Sequence, residues 1–327
     1  MTLTIAAPQA VRGHGHGRDL LWLTWRQHRA MLVFSALLAA IETVGLLLSW
    51  QVLKGVAACP TNSAGNGCVL GHDVAISLAR WQLEAVAVLP VLIGAFLAAP
   101  MIPREYEQGT AVIAWTQDLS MRRWLVVKIC ALAAYFSALL LVVSIAAHPV
   151  SSQLARLAPS PQLSGTFQRL LFETGFPLNV AYGLFALAFG VLVGSLIRKV
   201  LPSVGIALVL VVAVREVVSR FLRAHYIPPL HKVTAADTPA EVGKNSLVLT
   251  ENAWSTPSGH VRAVPQDCLS SRHFDQCLHS AGIANRVTIY QPANRLTLFH
   301  FIEFGLFTLL AVAAFIALLA LTRPRHR

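Results

Sequence analysis

Six long stretches of this chain carry almost no charge, and this pattern restricts most strongly how the chain can fold. A helix that crosses the ~30 Å hydrocarbon core of a bilayer needs about 20 apolar residues, because each residue rises ~1.5 Å. The stretches predict membrane-spanning helices at residues 30–53, 85–102, 125–147, 174–197, 200–214 and 298–321. We therefore predict an all-α integral membrane protein with about six transmembrane helices and a long loop between the fifth and the sixth.

The fifth predicted helix is the shortest of the six, and charged residues follow it directly. Residues 200–214 are uncharged, whereas Glu216 and Arg220 come next in the chain. Side chains four residues apart on a helix are neighbours, so these two can form an ion pair. We expect this helix to continue beyond the boundary of the bilayer.

The charge composition favours a membrane protein over a nucleic-acid-binding protein. Charged residues make up 13% of the chain, compared with about 25% in soluble domains. The formal net charge is +11, but the basic residues flank the apolar stretches and form no single patch with interleaved aromatic side chains. We expect contact with membrane lipid and no nucleic-acid partner.

The basic residues also predict the orientation of the chain, because Lys and Arg are enriched in short cytoplasmic connections. Thirteen of the 26 lie at the chain ends or in the second and fourth connections, which would share one face of the membrane. The short first and third connections, on the other face, carry Lys54, Arg80, Arg156 and Arg169. This asymmetry predicts that both termini lie in the cytosol, as in a multi-pass protein of the plasma membrane.

These predictions divide the chain into four parts. Residues 1–29 form a cytosolic N-terminal segment, and residues 30–219 hold the first five helices together with a cytosolic loop at 103–124. Residues 220–297 are too long and too polar for a turn, and a connection of this length usually has a function or is partly disordered. We interpret them as an extracytoplasmic cap. Residues 298–327 form the sixth helix and a basic cytosolic tail.

The cysteine positions agree with this topology. Cys59 and Cys68 lie in the first connection and Cys268 and Cys277 in the fifth, both predicted to be outside, where disulfides persist. Four cysteines allow three pairings, of which two local bridges are our preference. Cys130 falls inside the third helix, where we expect a buried thiol.

A metal site in the cap is the competing interpretation of its cysteines. The candidate ligands are Cys268, His273, Cys277 and His279. Their spacing matches no standard zinc pattern, so we predict no metal site.

Four polar residues within the predicted helices suggest a polar path through the membrane. They are Glu42, Asn179, Tyr182 and Glu303. An ionisable group in a membrane span costs at least ~2.5 kcal/mol, so it usually faces the bundle interior or water. The alternative is that the two glutamates are protonated or hydrogen-bonded packing residues. Glu303 could also lie exposed at the outer interface.

The cytosolic loop at residues 103–124 carries the most specific pattern in the chain. Acidic residues lie near the start of a predicted short helix, and a glycine interrupts this helix. A segment with basic and aromatic residues then leads back into the bilayer. Its key residues are Arg104, Glu105, Glu107, Gly109, Thr110, Thr116, Gln117, Arg122 and Arg123.

This loop resembles the first cytoplasmic loop of type-2 ATP-binding-cassette (ABC) exporter permeases, which carries an R-E-x-E-x-G-T element. Residues 104–110 match that element, and Thr116-Gln117 stands where many members have Thr-Pro. The Gln variant resembles an actinobacterial branch of the family. Further similarities to that branch are Trp25, Arg26 and Arg29, the sequence Tyr290-Gln291-Pro292, and Ile302-Glu303.

The resemblance implies a permease subunit that forms a translocation path and takes its power from a separate ABC ATPase. No catalytic residues and no cofactor are then expected on this chain, since ATP and Mg²⁺ would bind to the ATPase. The resemblance also implies a dimer, either of two identical chains or with a related permease. By the same resemblance, residues 105–117 would be the coupling helix that docks on the ATPase, and residues 20–29 an interfacial helix.

Two other functions remain open at this point. One is a membrane-embedded enzyme that acts on a lipid-linked substrate through the cap, where Asp267, His273 and Asp275 are the candidate catalytic residues. The other is an ATPase-linked sensor or immunity protein that transports nothing. The chain lacks a G-x-x-x-x-G-K-[ST] loop, an H-E-x-x-H motif and a G-x-S-x-G motif.

Overall fold

In the part of the chain that the computed structural model describes, six helices are long and apolar enough to cross a membrane, which confirms the multi-pass prediction. The structure describes residues 17–57, 66–109, 121–157, 167–235, 242–243, 245–270 and 272–322. The first to sixth spans are Thr24–Ala57, Gly71–Glu107, Arg122–Leu157, Leu178–Ile197, Val200–His225 and Ala293–Leu321.

The first span belongs to one uninterrupted helix, Gly17–Ala57, of 41 residues. Such a helix is about 60 Å long, roughly twice the thickness of the hydrocarbon core. The N-terminal segment therefore holds no separate interfacial helix from residue 17 onward, contrary to the expectation for residues 20–29. The physical reason is that no glycine or proline interrupts the chain between Gly17 and Gly45.

The second and third spans are longer than the apolar stretches that predict them. The second begins as the helix Asn66–Leu92, widens into the π-helix Ile93–Ala98, and ends in the short helix Met101–Glu107. The third is the helix Met121–Leu157. A charged residue such as Arg80 is compatible with helical structure. The helices therefore continue past the uncharged stretches from which they were predicted.

The fourth and fifth spans meet on the same side of the membrane as the short helix Met101–Glu107. A small helix, Arg169–Glu173, precedes the fourth-span helix Leu178–Ile197, so the predicted start at residue 174 is four residues early. The fifth span is the helix Val200–Val217, followed by the π-helix Val218–Leu222 and the 3₁₀-helix Arg223–His225. The helical structure therefore continues beyond residue 214, where the uncharged stretch ends.

The fourth span lies at the centre of the bundle, packed against the second, third, fifth and sixth spans. Glycines on it permit a very close approach to the π-helix of the second span. A methyl group built on Gly190 would overlap the carbonyl oxygen of Gly94, and one on Gly194 would overlap that of Ala99. Small residues at these positions let the two helices approach this closely.

The cap between the fifth and sixth spans is a folded unit with a four-stranded antiparallel sheet, which the sequence analysis did not predict. The strands are β1 (Leu230–Ala235), β2 (Leu247–Ser255), β3 (Val261–Arg262) and β4 (Asn285–Gln291), in the order β1-β4-β2-β3. Leu230 pairs with Tyr290 and Val233 with Val287, whereas the register between β2 and β4 shifts twice.

Two small helices, Gln266–Leu269 and Phe274–Ser280, pack beside the sheet and are joined by the disulfide Cys268–Cys277. This confirms the predicted local bridge, which engages two of the four candidate ligands of the alternative zinc site. The side chains of Cys59 and Cys68 lie outside the described residues. The prediction for Cys130 is wrong, since it is exposed on the surface of the third span.

The sixth span follows β4 through the 3₁₀-helix Ala293–Arg295 and consists of the helix Leu296–Leu321. Gln291, at the end of β4, fixes the cap to the bundle: its Nε2 donates to the carbonyl oxygen of Ile227 at 2.6 Å. Arg295 donates to the carbonyl oxygen of Pro228 at 2.8 Å and to Gln291 Oε1 at 2.7 Å. The Tyr-Gln-Pro sequence therefore marks the attachment of the cap.

We predict that Gly190→Ala lowers the free energy of unfolding by about 1–3 kcal/mol, because the added methyl group forces the fourth span away from the second. Thermal unfolding of the purified protein in detergent checks this. The matched control is Gly205→Ala in the fifth span, where a Cβ meets no atom within 4 Å. Equal unfolding temperatures for the two variants would contradict the close packing.

Candidate functional site

Polar contacts cluster at the two ends of the helix bundle. We call the end that carries the β-sheet the cap side, and the opposite end, where the short helix Met101–Glu107 lies, the loop side. The cytosolic loop predicted at residues 103–124 begins on this short helix.

On the loop side, Glu105 binds the third span. The Lys128 Nζ donates to Glu105 Oε1 at 2.9 Å, and the Lys128 side chain is only 2% exposed. The same ammonium group lies 4.5 Å from the centroid of the Trp124 ring, in cation–π geometry. Glu105 thus neutralises a buried cation and joins the short helix to the third span.

Glu107, two residues later, binds the fifth span. The backbone N–H of Val200, the first residue of the fifth-span helix, donates to Glu107 Oε1 at 2.9 Å. The first amides of a helix have no partner within it, and a negative charge there is stabilised by the helix dipole. Beside this contact, the Arg198 guanidinium lies 5.2 Å from the centroid of the Tyr106 ring.

The other residues predicted for the loop have different places. Arg104 and Arg123 are exposed, and Gly109 adopts a φ of +66° just after the short helix, as expected of a glycine that ends a helix. Arg122 donates from Nη2 to the carbonyl oxygen of Leu319 near the end of the sixth span, at 3.2 Å. Thr110, Thr116 and Gln117 lie outside the described residues.

On the cap side, two buried glutamates and two buried arginines form one ion network. Arg215 Nη2 lies 2.6 Å from Glu173 Oε2, and Arg223 Nη2 lies 3.3 Å from Glu173 Oε1. Arg223 also donates to Glu303 from Nε at 3.0 Å and from Nη2 at 2.9 Å. All four side chains are at most 5% exposed. The network joins the fifth and sixth spans to the short helix that precedes the fourth.

Two tyrosine hydroxyls complete the coordination of Glu303. Tyr182 of the fourth span donates to Glu303 Oε1 at 2.5 Å, and Tyr226 donates to Oε2 at 3.0 Å. Burial and the adjacent Glu303 carboxylate raise the pKa of Tyr226, so its phenol keeps the proton that it donates. The Arg215 guanidinium packs 4.5 Å from the centroid of the Tyr182 ring.

Arg169 extends the network to the surface. Its Nε lies 3.1 Å from Glu173 Oε1 and its Nη1 pairs with Glu216, while 47% of the Arg169 side chain is exposed. Glu216 in turn accepts from Arg220 Nε at 2.8 Å, which confirms the predicted pair. The charges in the buried part of the network sum to zero, since it contains two carboxylates and two guanidinium groups.

Of the four residues predicted to line a polar path, the structure brings only Tyr182 and Glu303 together. Glu303 is 1% exposed, so its alternative placement at the outer interface is wrong. Asn179 donates to Ser144 Oγ at 3.1 Å. Glu42 lies partly exposed on the first span, and its Oε1 is buried without a hydrogen-bond partner among the described residues.

Sequence reasoning missed Glu173, Arg215, Arg223 and Tyr226 as members of this site. A signal existed for the two arginines, because residues eight apart lie near one face of a helix. In an α-helix, two side chains eight residues apart point in directions about 80° apart around the helix axis. The wider turns of the π-helix Val218–Leu222, which lies between the two arginines, reduce this angle. For Glu173, which lies outside the apolar stretches, no comparable signal exists.

Two of the three candidate catalytic residues of the alternative enzyme lie on the surface of the cap. Asp267 and His273 are exposed on or beside the two small helices, and the side chain of Asp275 is outside the described residues. Among the described residues, no group of three or more His, Cys, Asp or Glu could hold a metal ion.

We predict that Glu303→Gln lowers the free energy of unfolding by about 3 kcal/mol, because it leaves two buried guanidinium groups with one carboxylate. Glu42→Gln is the matched control: it removes the other glutamate predicted for the polar path, which forms no ion pair with a described residue, and it should leave stability unchanged. Unfolding in mixed micelles measures both. A Glu303→Gln protein as stable as the control would show that the network is not a stabilising unit.

Comparison with known proteins supplies the family. Residues 25–223 match the family described as ABC-2 membrane transporter related. The match covers more than half of the chain and includes the first five spans, the short helix of the loop side, and Glu173, Arg215 and Arg223 of the ion network. No curated protein and no solved structure matches the chain. The chain belongs to the ABC-2 membrane transporter related family and is a multi-pass membrane protein with the transport role of an ABC-2 permease.

Proposed function

We propose that the chain is the membrane-spanning subunit of an exporter that is driven by ATP hydrolysis on a separate ABC ATPase. In this proposal the loop side and both termini face the cytosol and the cap faces outward. The excess of Lys and Arg in the loop-side connections supports this orientation. The disulfide in the cap supports it as well, because such bridges persist outside the cytosol.

The observation that carries the proposal is the double attachment of the short helix Met101–Glu107. Its two acidic residues bind different spans: Glu105 binds Lys128 of the third, and Glu107 binds the start of the fifth. The helix itself continues the second span. A force applied to this helix is therefore transmitted to three spans at once.

This arrangement refines the roles within the predicted coupling loop. Glu105 and Glu107 connect the loop to the transmembrane helices, whereas the exposed Arg104, Gln108 and Arg123 are free to face a partner. We assign ATPase docking to the exposed residues and transmission to the two glutamates. ATP and Mg²⁺ would bind the partner, which would close on ATP and push the loop side.

The ion network is the element that such a push would have to rearrange. It joins the cap-side ends of the fifth and sixth spans through Glu173, Arg223 and Glu303. In the described conformation these contacts hold the cap-side ends of these two spans together. Export by a dimer, of two such chains or with a related permease, would require the buried charges to exchange partners or to meet water.

We predict that Glu107→Ala uncouples the exporter. Co-expressed with its ATPase, the variant should still form a membrane complex, because the docking residues remain. Its transport should fall by about tenfold or more, because motion of the short helix no longer reaches the fifth span. ATPase activity and vesicle transport, measured on the same complex, check this.

The control is Asp73→Ala, which removes an exposed acidic side chain of the second span at the cap-side end. Unchanged assembly and transport in Glu107→Ala would remove the transmission role. Loss of assembly in Arg104→Glu, with assembly retained in Glu107→Ala, would separate docking from transmission as proposed. ATP hydrolysis by the purified chain alone would contradict the division of labour between the two subunits.

A further inference from the structure

A cavity of about 540 Å³ opens on the cap-side half of the bundle, between the second and fifth spans and beside the short helix Arg169–Glu173. Its volume is in the range of small-molecule sites. Two lining valines, Val88 of the second span and Val212 of the fifth, are 47% and 39% exposed on the outside of the bundle. The cavity therefore opens laterally, towards the bilayer.

The polarity of the cavity changes along the bundle axis. On the second span, Arg80 and Glu84 lie nearer the cap side than Val88 and Val91, and Arg80 and Val91 are about 16 Å apart along the helix. The fifth span runs in the opposite direction, and its Arg215 again lies nearer the cap side than Val212. A lipid in the cap-side leaflet has the same polarity, with its headgroup towards the cap and its chains towards the bilayer centre.

The charges that line the cavity favour an anionic headgroup. Arg80, Arg169 and Arg215 contribute three positive charges, and Glu84 and Glu173 two negative ones. Glu173 is already shared by Arg169, Arg215 and Arg223, while 47% of the Arg169 side chain remains exposed. Arg80 is exposed and forms no ion pair with a described residue, so its charge is available to a ligand.

From this geometry we infer that the cavity binds an anionic amphiphile of the cap-side leaflet. Arg80 and Arg169 contact the phosphate of its headgroup, and the upper part of its acyl chains lies against Val88 and Val212. Glu84, four residues after Arg80 on the same helix face, repels the headgroup and limits its affinity. The site is separate from the loop side and needs no ATPase.

The test is native mass spectrometry of the full-length chain in detergent, titrated with phosphatidylglycerol or with phosphatidylcholine of the same acyl chains. We expect one phosphatidylglycerol to be retained per chain, in preference to phosphatidylcholine. Arg80→Gln should weaken its binding at least about threefold, the effect of losing one partly exposed ion pair. Val88→Trp, which fills the lateral opening, should weaken it further, and Glu84→Gln should strengthen it.

Matched controls separate this site from general attraction of lipid to a basic protein. Arg156→Gln removes a positive charge at the cap-side end of the third span, and Val209→Trp enlarges an exposed valine of the fifth; neither residue lines the cavity. Both should bind phosphatidylglycerol as the parent does. Equal retention of the two lipids, or equal weakening by Arg80→Gln and Arg156→Gln, would overturn the proposal.

A soluble anion is the remaining occupant to distinguish. Inorganic phosphate at millimolar concentration should not displace bound phosphatidylglycerol, because it lacks the chains that contact the valines. Displacement by phosphate, together with insensitivity to Val88→Trp, would assign the cavity to a water-soluble anion and overturn the amphiphile site. Because binding is measured without ATPase, these outcomes are independent of the proposed coupling.

Discussion

Two carboxylates and two guanidinium groups buried at the cap side impose the strictest physical condition on this fold. An isolated charge in a low-dielectric interior costs several kcal/mol, so each of the four must have its partners in place. Glu173, Arg215, Arg223 and Glu303 meet this condition only when the short helix before the fourth span, the fifth span and the sixth span take one relative position. The network therefore specifies how these elements assemble, besides any stability that it adds.

The loop side obeys the same condition with fewer charges. Lys128 is buried and needs the Glu105 carboxylate, and the free amide of Val200 is satisfied by Glu107. In the loop-side half of the fourth span, Gly190 packs onto the π-helix of the second span and Gly194 onto Ala99 just after it, with no room for a side chain. Polar contacts at both ends and this close packing make the bundle a connected unit. Movement at one end then has a physical route to the other.

The membrane architecture could be predicted because its signal lies in the residues themselves. About twenty apolar residues without charge have few alternatives to a membrane span, and basic and aromatic residues at a helix end indicate the interface. The bounds could not be predicted, since a helix continues beyond its uncharged part: the second span starts some 14 residues before the stretch 85–102. The exposed position of Cys130 was missed because a single apolar stretch does not reveal which face meets the protein.

In the candidate sites, too, single residues could be predicted from the sequence, whereas their contacts could not. The acidic residues of the loop were identified from their order in the chain, but their partners Lys128 and Val200 lie 23 and 93 residues away. Glu303 was recognised as a costly group in a membrane, whereas Glu173 was not, because it lies in a connection where charge is common. Its burial results from the packing of three elements. The sheet of the cap was also missed, since the pairing of β4 is not local: its partners are β1 and β2, and the register between β2 and β4 shifts twice.

The central claim is that the short helix Met101–Glu107 faces the cytosol, where an ATPase can reach it, while the cap faces outward. The most direct measurement is labelling of single introduced cysteines with a membrane-impermeant maleimide, on whole cells that carry a protein with Cys59→Ser, Cys68→Ser and Cys130→Ala as background. Arg104→Cys should react only after the cells are made permeable, and Ser258→Cys in the cap should react in intact cells. Reaction of Arg104→Cys in intact cells would contradict the account, because no ATPase could then bind the loop.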